Sequence, residues 1–378
     1  MKFAFLSHLD TNLYLFRLPI MQDLVAHGHK VFAVCPKGDV SDQFAGHGIS
    51  VIHYDINRSN LQPLREIKVI LRLAAILRRL QPDVLHTFTA KPNIYGTLAG
   101  RFAGVPVIYN LVEGLGSFYV DQSVKSRFVR ECMEAMYRIS CRLSNATVFV
   151  NKDDPQYFLS RQLVPRNKIH IIRSVGVDTD YFRPGRFDAV ALRQSLGLSE
   201  GVRIVLMVAR AIWHKGVAEY IAGANQLRAR DPNVFFLLAG AIDEGNPSSA
   251  TSAYLLSQPN LIWLGHRRDI AELTALCDVY VLPSWYREGV PRTLLEAASM
   301  AKPIVTTDTV GCREVVENGV NGFLVPIQDS HALAERISTL LQDDALRHRM
   351  GLNGRAKAIR EFDVQHVVRQ YLELYGVS

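Results

Sequence analysis

The chain has 378 residues, 48% of them apolar and 21% charged, which excludes a disordered polypeptide and predicts two domains of roughly 150–200 residues each. No stretch reaches the roughly 18 uninterrupted apolar residues of a membrane-spanning helix, and five cysteines without close pairs exclude a disulfide framework and a structural zinc site. The net charge of +7 lies within residues 1–180, which carry 22 basic and 15 acidic side chains, so an anionic partner should meet this half.

Short apolar runs alternate with helical patterns through the N-terminal half. The first run, Lys2–Ser7, lies in a start that soon turns polar, so it predicts a strand and not a secretion signal, and we expect a cytoplasmic protein. Further strands are predicted at Lys30–Cys35, Ser50–Tyr54, Asp83–His86, Val105–Tyr109, Thr147–Val150 and Lys168–Ile172, with helices at 13–27, 62–80, 91–103, 124–144 and 153–161. This alternation indicates βαβ units and a parallel, doubly wound sheet.

The stretch 173–201 interrupts the alternation with Gly, Pro and Asp and predicts a linker. A second series follows, with strands predicted at 203–209, 234–240, 260–264, 278–282, 303–306 and 323–325, and helices at 216–230, 269–276, 291–300, 330–342, 344–361 and 364–375. The sequence therefore predicts an α/β protein of two Rossmann-like domains facing a cleft, with a ligand at the carboxyl ends of the strands.

The first candidate binding group follows the strand at 203–209. Arg210 at the strand end and Lys215 at the helix start would face the ligand, where the helix N-terminus adds partial positive charge and N–H donors. Two cations at such a helix start suit a diphosphate, and a solvated basic loop is the alternative. The spacing excludes a P-loop.

The second candidate group follows the strand at 278–282. Pro291 fits the first turn of a helix, so the amides of residues 289–293 would point toward a ligand that Gly289 allows to come close. Glu288 precedes this helix, and Glu296 lies roughly 7.5 Å beyond Pro291 along its axis. Two carboxylates at different depths suit a sugar and a ribose joined by a diphosphate, although each alone could be a surface residue.

The pattern E-x7-E at Glu288 and Glu296, with R-x4-K at Arg210 and Lys215, resembles that of the retaining glycosyltransferase family 4. The resemblance covers nearly the whole chain and implies the GT-B fold, two Rossmann-like domains with the donor site between them. The run 111–119 and the start 5–8 are similar to a bacterial subgroup that adds N-acetylgalactosamine in α-1,3 linkage to diacetylbacillosamine on undecaprenyl diphosphate, and to galactosyltransferases of pilin glycosylation.

The resemblance also implies a role for each part of the chain. Residues 1–175 would bind the acceptor, residues 176–361 the nucleotide sugar, and the helix at 362–378 would pack back on the N-terminal domain. Glu288 would bind the transferred sugar and the loop Gly265–Asp269 the uracil. The donor-binding residues would be Arg210, Lys215, Gly240, Arg267, Gly289, Val290, Pro291, Arg292, Thr293, Leu294 and Glu296. The UDP-sugar is a co-substrate; no cofactor or metal is expected, since Arg, Lys and the helix start would stabilise the leaving UDP and no D-x-D pair lies near a phosphate loop.

Two positions depart from the family pattern. The segment 8–13 has no Gly where many members carry a glycine-rich turn near the acceptor, so the family pattern does not define its contacts with the donor or acceptor. The acceptor-binding candidates are His8, Asn12, Gly114 and Gly116. Glu113 stands where many members have His; it could stabilise positive charge, receive the acceptor proton, orient the acceptor or pair with an arginine.

The remaining catalytic candidate is His86, which could equally be a core or rim histidine. The resemblance implies front-face substitution with retention, in which the departing phosphate takes the acceptor proton. A double displacement would need a carboxylate nucleophile, for which Glu113 is the candidate.

Two basic amphipathic helices indicate a lipid surface as partner. The helix at 65–80 carries Ile67, Ile70, Leu71, Ala74 and Leu77 at near-helical spacing beside Arg65, Lys68, Arg72 and Arg79, and the helix at 124–144 adds five more cations. The loop before the second helix offers Leu115, Phe118 and Tyr119. We expect peripheral attachment to the cytoplasmic face of the inner membrane, with a solvated basic face as the alternative. No nucleic-acid motif accompanies the charge.

Three alternatives stay open. The enzyme could transfer galactose or N-acetylglucosamine from UDP to a surface polysaccharide or pilin glycan. A UDP-GlcNAc 2-epimerase-like enzyme shares the two-domain fold, but the two Glu and two cations disfavour it. A two-domain ligand-binding protein of the periplasmic type is disfavoured by the start of the sequence.

Overall fold

The computed structural model describes residues 1–56, 62–116, 119 and 123–377. They form two compact units, one of Met1–Val175 with Val364–Ser378 and one of Gly176–Asp363.

The first unit is built on a seven-stranded parallel sheet in the order β3-β2-β1-β4-β5-β6-β7. Its elements are β1 (Lys2–Leu6), α1 (Asp10–Ala26), β2 (Lys30–Cys35), β3 (Ser50–His53), α2 (Pro63–Leu80), β4 (Val84–Phe88), α3 (Ala90–Ala103), β5 (Val107–Val112), α4 (Val124–Leu143), β6 (Ala146–Phe149), α5 (Asp153–Ser160), β7 (Ile169–Ile171) and the final helix α14 (Val364–Tyr375). The chain runs outward from β1 in both directions, and right-handed crossovers then place helices on both faces of the sheet. The expected doubly wound sheet is confirmed.

The second unit has a six-stranded parallel sheet in the order β10-β9-β8-β11-β12-β13. Its elements are α6 (Ala189–Ser195), β8 (Arg203–Val208), α7 (Val217–Arg228), β9 (Val234–Ala239), α8 (Ser252–Leu256), β10 (Ile262–Gly265), α9 (Ile270–Leu276), β11 (Val279–Leu282), α10 (Arg292–Ser299), β12 (Ile304–Thr307), α11 (Cys312–Val315), β13 (Gly322–Val325), α12 (Ser330–Gln342) and α13 (Asp344–Phe362). Because the order reverses beside β8, the loops that follow β8 and β11 are neighbours at the carboxyl edge. This is the switch point at which open α/β sheets bind ligands.

Every predicted strand is present, and the differences concern short helices. The predicted linker contains α6, which begins where the Asp188 side chain accepts a hydrogen bond from Val190 N at 2.8 Å. The short helices α8 and α11 were also missed, because four or five residues carry too little periodicity to be recognised. All five cysteines are free, and all but Cys132 are buried.

The apolar stripe of α2 is divided between surface and core: Ile67 and Leu71 are 52% and 60% exposed, whereas Ala74 and Leu77 are buried. The structure corrects one expectation about surface residues of the first unit. Leu115 and Tyr119, expected on an exposed loop, are buried. Ser117 and Phe118 lie outside the described residues.

Candidate functional site

Two loops meet at the switch point of the second sheet. After β8 the chain forms a short 3₁₀ helix, Trp213–Lys215, and turns at Gly216, where φ is +84°, so α7 starts at Val217 and Lys215 precedes it. A Cβ at Gly216 would lie 2.1 Å from the carbonyl oxygen of Pro283 in the loop after β11. The backbone N–H of Trp285 also donates to the carbonyl of His214 at 3.0 Å. The two loops are therefore held in direct backbone contact.

Lys215 and Glu288 form an ion pair across these two loops. The Lys215 Nζ contacts Glu288 Oε1, to which the Ser284 Oγ also donates at 2.9 Å. The side chains are only 16% and 11% exposed, and the Lys215 Nζ lies 5.5 Å from the centre of the Tyr286 ring. An ammonium has three protons, so Lys215 can donate to Glu288 and to an anionic oxygen together. Tertiary structure thus brings together two residues that are 73 positions apart.

Arg210 lies on the same loop as Lys215 but has a different partner. Its Nη1 contacts Asp243 Oδ2, which also accepts from Asn246 Nδ2 at 2.9 Å. The Arg210 side chain is 46% exposed, and a guanidinium has five N–H donors, so donors remain for an anionic ligand. Asp243 was missed from sequence, although its position in the polar run that follows the apolar strand β9 was a signal.

The helix α10 begins one residue later than expected, at Arg292, with Pro291 at φ −65° before it. Glu296 is buried, with its Oε1 2.9 Å from Arg292 Nε. Burial raises the pKa of the Glu296 carboxyl, and the charge of Arg292 opposes that rise. The Leu294 side chain is buried and its N–H donates to Pro291 O at 3.1 Å, so the helix itself uses this amide. Burial raises the pKa of the Tyr280 hydroxyl, and the Thr293 side chain opposes that rise.

The loops after β9 and β10 hold the other donor candidates. The Gly240 N–H donates to Gly265 O at 2.7 Å, and Trp263 Nε1 donates to Gly240 O at 2.9 Å. Arg267 binds Asp269 through both Nε, at 2.8 Å, and Nη2, and this hydrogen bonding lowers the pKa of the Asp269 carboxyl. The loop expected to hold the uracil is therefore stiffened by its own ion pair.

In the first unit, Glu113 is held by two side chains of α1. Its Oε1 contacts Nη2 of Arg17, a fully buried side chain whose Cζ lies 4.8 Å from the centre of the Phe88 ring. Its Oε2 accepts from Asn12 Nδ2 at 3.2 Å, and Asn12 Oδ1 in turn accepts from Ser7 Oγ at 3.1 Å. Glu113 remains 20% exposed. It is thus an arginine-paired carboxylate with an open side, and Arg17 was missed because an arginine on an apolar helix carries no distinguishing spacing.

His86 lies in the core of the first unit. It is 1% exposed, its Nδ1 hydrogen-bonds the Tyr375 hydroxyl of α14 at 2.5 Å, and burial lowers its pKa well below the usual value. This geometry favours a core histidine over a catalytic one, because a substrate cannot reach the ring.

The acceptor candidates occupy the carboxyl edge of the first sheet. His8 Nδ1 hydrogen-bonds Thr89 Oγ1 at 2.5 Å. Gly114 and Gly116 follow β5 with φ of +114° and +79°. Within residues 1–56, 62–116, 119 and 123–377, no group of three or more His, Cys, Asp or Glu side chains could hold a metal ion.

Sequence comparison matches both units to known families. The Glycosyl transferases group 1 profile matches residues 189–357, and the Glycosyl transferase 4-like profile matches residues 2–151. The chain is 36% identical, over 99% of its length and 98% of the relative's, to the N,N'-diacetylbacillosaminyl-diphospho-undecaprenol α-1,3-N-acetylgalactosaminyltransferase of Campylobacter jejuni. It is 26% identical, over 84% of its length and 81% of the relative's, to an Escherichia coli UDP-Gal:α-D-GlcNAc-diphosphoundecaprenol α-1,3-galactosyltransferase.

Solved structures share the fold. The crystal structure of Anabaena HepE in complex with UDP superposes with a TM-score of 0.81 at 21% identity, covering 100% of this chain and 99% of that one. A Thermosynechococcus elongatus sucrose-phosphate synthase gives a TM-score of 0.81 at 21% identity, covering 99% and 98% of the two chains.

Proposed function

This chain is a glycosyltransferase of family 4 with two Rossmann-like domains, and from that premise we propose that it transfers N-acetylgalactosamine in α-1,3 linkage from UDP to an undecaprenyl-diphosphate-linked sugar. The observation that carries the proposal is the 36% identity to the Campylobacter jejuni transferase along 99% of the chain. The Escherichia coli relative supports UDP-galactose as the second candidate donor. UDP-N-acetylglucosamine is the third.

The donor site of the proposal is the switch point of the second unit. Arg210 and Lys215 bind the diphosphate, since both project from the loop after β8 and keep N–H donors beyond their present partners. Glu288 accepts hydrogen bonds from the transferred sugar, and Glu296 from the ribose hydroxyls. The backbone of residues 289–293 completes the site at the start of α10.

The Lys215–Glu288 pair has a consequence for catalysis. In the free chain the charges of Lys215 and Glu288 neutralise each other. When a diphosphate also binds Lys215, the ion pair weakens and the Glu288 carboxylate can accept a hydrogen bond from the sugar. Negative charge grows on the leaving UDP as the glycosidic bond breaks, and preorganised cations stabilise that charge without a metal. The reaction proceeds with retention, and the departing phosphate oxygen accepts the proton of the attacking hydroxyl.

The experiment is a UDP-release assay with UDP-GalNAc, UDP-Gal and UDP-GlcNAc, each with and without an undecaprenyl-diphosphate-linked sugar. We expect the fastest release with UDP-GalNAc and only in the presence of the acceptor, with an α-1,3 product by NMR. Glu288→Ala should abolish most transfer while the thermal transition persists, and the matched control Glu335→Ala, an exposed residue of α12, should not. Absence of acceptor-dependent release with any donor would refute the proposal.

We further propose that the first unit attaches to the anionic inner leaflet of the inner membrane at its cytoplasmic face. Three apolar side chains of α2 are exposed at helical spacing: Leu64, Ile67 and Leu71. They are flanked in sequence by the cations Arg65, Lys68 and Arg72. In α4 the exposed apolar side chains include Val124, Phe128 and Ile139. Because α2 and α4 both pack against α3, these residues share one side of the unit. Apolar residues among cations fit a charged lipid interface. Among the described residues no helix is long and apolar enough to cross a membrane.

Co-sedimentation with vesicles tests this attachment. Ile67→Ser with Leu71→Ser should weaken binding to vesicles containing phosphatidylglycerol, and Lys68→Glu with Arg72→Glu should abolish its salt-sensitive part. Arg228→Glu with Arg230→Glu, in the second unit, is the charge-matched control. Equal binding by all variants would contradict the assignment.

A further inference from the structure

A pocket of about 750 Å³ opens in the second unit beside the Glu288 loop. Most of its wall comes from three consecutive strand ends: residues 285–287 after β11, residues 308–310 with Arg313 after β12, and residues 324–327 at the end of β13. Asn318, which precedes β13, completes the lining. Its volume is that of a small-molecule site. None of the residues assigned above to the nucleotide, the diphosphate or the ribose lines it, so it is additional to the proposed donor site.

The pocket is attached to the Glu288 loop through backbone contacts. A Cβ at Gly311, where φ is +84°, would lie 2.1 Å from the Gly289 carbonyl oxygen and 3.1 Å from Glu288 Cβ. The Thr309 Oγ1 donates to the Ser284 carbonyl at 3.3 Å. The loop after β12 therefore packs directly on the residue proposed to bind the transferred sugar. A ligand in this pocket would lie beside that sugar.

The lining has the chemistry of a sugar-binding surface. Trp285 and Tyr286 supply aromatic rings, and Val310, Pro326 and Ile327 supply apolar contacts. The Trp285 ring also packs against His214, with ring centres 4.4 Å apart, so its position is fixed. The Trp285 Nε1 is buried and has no hydrogen-bond partner among the residues that the structure describes, although buried donors ordinarily have one.

The charges of the lining favour hydroxyl groups over a phosphate. Arg313 Nε lies 3.0 Å from Asp308 Oδ1, and its Nη2 donates to the Asp308 carbonyl at 3.0 Å. The lining contains two arginines, Arg287 and Arg313. The pair neutralises Arg313 and adds the Asp308 carboxylate to the lining, which disfavours a phosphate by like-charge repulsion. Sugar hydroxyls, in contrast, both donate and accept, and a guanidinium beside a carboxylate serves both functions.

We propose that this pocket binds a sugar ring, as a subsite adjacent to the transferred residue. The inference rests on the proposed function, because it takes Glu288 as the residue that contacts the transferred sugar. The ring is the sugar of the lipid-linked acceptor, because the donor sugar is the transferred residue and is already assigned to Glu288, which does not line the pocket.

The chain offers a direct optical test, because it has three tryptophans. Replacing Trp213 and Trp263 by Phe leaves Trp285 as the single indole. Titration of that protein with methyl α-N-acetylgalactosaminide should give a saturable fluorescence change. Any change caused by inorganic pyrophosphate should disappear when UDP is present, because UDP occupies the diphosphate site. Asp308→Asn should weaken the sugar response at least fivefold, and Ile327→Trp, assayed for binding by calorimetry, should block the pocket without touching the ion pair. Arg336→Gln, on α12, is the control.

Steady-state kinetics test which substrate uses the pocket. With Ile327→Trp, we expect the KM for the lipid-linked acceptor to rise at least fivefold and the KM for the donor to stay unchanged, and the reverse result would contradict an acceptor subsite. Unchanged KM values for both, or a Trp285 signal that answers pyrophosphate and not sugar, would overturn the subsite. A wild-type protein that transfers no sugar would refute the proposed function, while the fluorescence titration would still report on the pocket.

Discussion

Gly216 gives the sharpest test of the site geometry. It turns the chain between Lys215 and α7 at φ +84°, and an added Cβ would lie 2.1 Å from the oxygen and 2.6 Å from the carbon of the Pro283 carbonyl. Since real Cβ atoms do not approach within 3.0 Å, Gly216→Ala must separate the loops after β8 and β11 by roughly 1 Å. That separation pulls Lys215 away from Glu288.

Two costs add at this position. A left-handed conformation costs a non-glycine residue about 1–2 kcal/mol, and a shift of about 1 Å in a binding group can cost roughly 100-fold in rate. Gly201→Ala is the matched control, because Gly201 has φ +81° and nothing within 4 Å of the added Cβ. Thermal unfolding should register the backbone cost in both variants.

The assay is kcat/KM for transfer together with the UDP dissociation constant from calorimetry. We expect Gly216→Ala to lose about 100-fold in kcat/KM while Gly201→Ala stays near wild type. Equal activity of both variants at equal stability would show that the contact between the two loops does not position the site.

Three further predictions concern charged groups. Lys215→Ala should weaken UDP binding by about 1.5–3 kcal/mol, roughly 10- to 150-fold, as for a lost hydrogen bond to a charged group; unchanged affinity in calorimetry would count against a diphosphate role. Because burial raises the pKa of the Glu296 carboxyl, the carboxylate becomes protonated at a higher pH than an ordinary glutamate as the pH falls. UDP affinity should therefore decline through that raised pKa in the wild type and stay constant with pH in Glu296→Gln. The same shift means that the stability contributed by protonated Glu296 is present at acid pH and is lost as pH rises through the raised pKa. Arg17→Met releases the Glu113 carboxylate and should therefore lower kcat, with a smaller effect on the KM for the acceptor. Arg17→Lys should restore part of kcat. An equal kcat in the wild type and both variants would show that the pair has a purely structural role.

Much of this protein follows from local sequence patterns. Apolar runs between helical periods predicted the strands. The central strands are near-continuous in Val, Ile, Leu and Phe because they are buried on both faces, whereas the edge strands β3 and β7 are partly exposed. The candidate site residues at 210–215 and 288–296 could be predicted from sequence because polar residues directly follow apolar strands there. Short helices such as α8 and α11 could not be recognised, since tertiary contacts stabilise them and not their own sequence.

Only the tertiary structure decided which of these residues meet. Strand order is a long-range property, so it took the placement of β8 between β9 and β11 to join Lys215 to Glu288 and Arg210 to Asp243. Burial is decided in the same way: α14 returns to cover His86, which a strand-end position alone had made a catalytic candidate. The sequence thus determined the elements and the chemical groups at their ends, whereas packing determined their partners, because an ion pair or a buried ring depends on contacts between segments far apart in the chain.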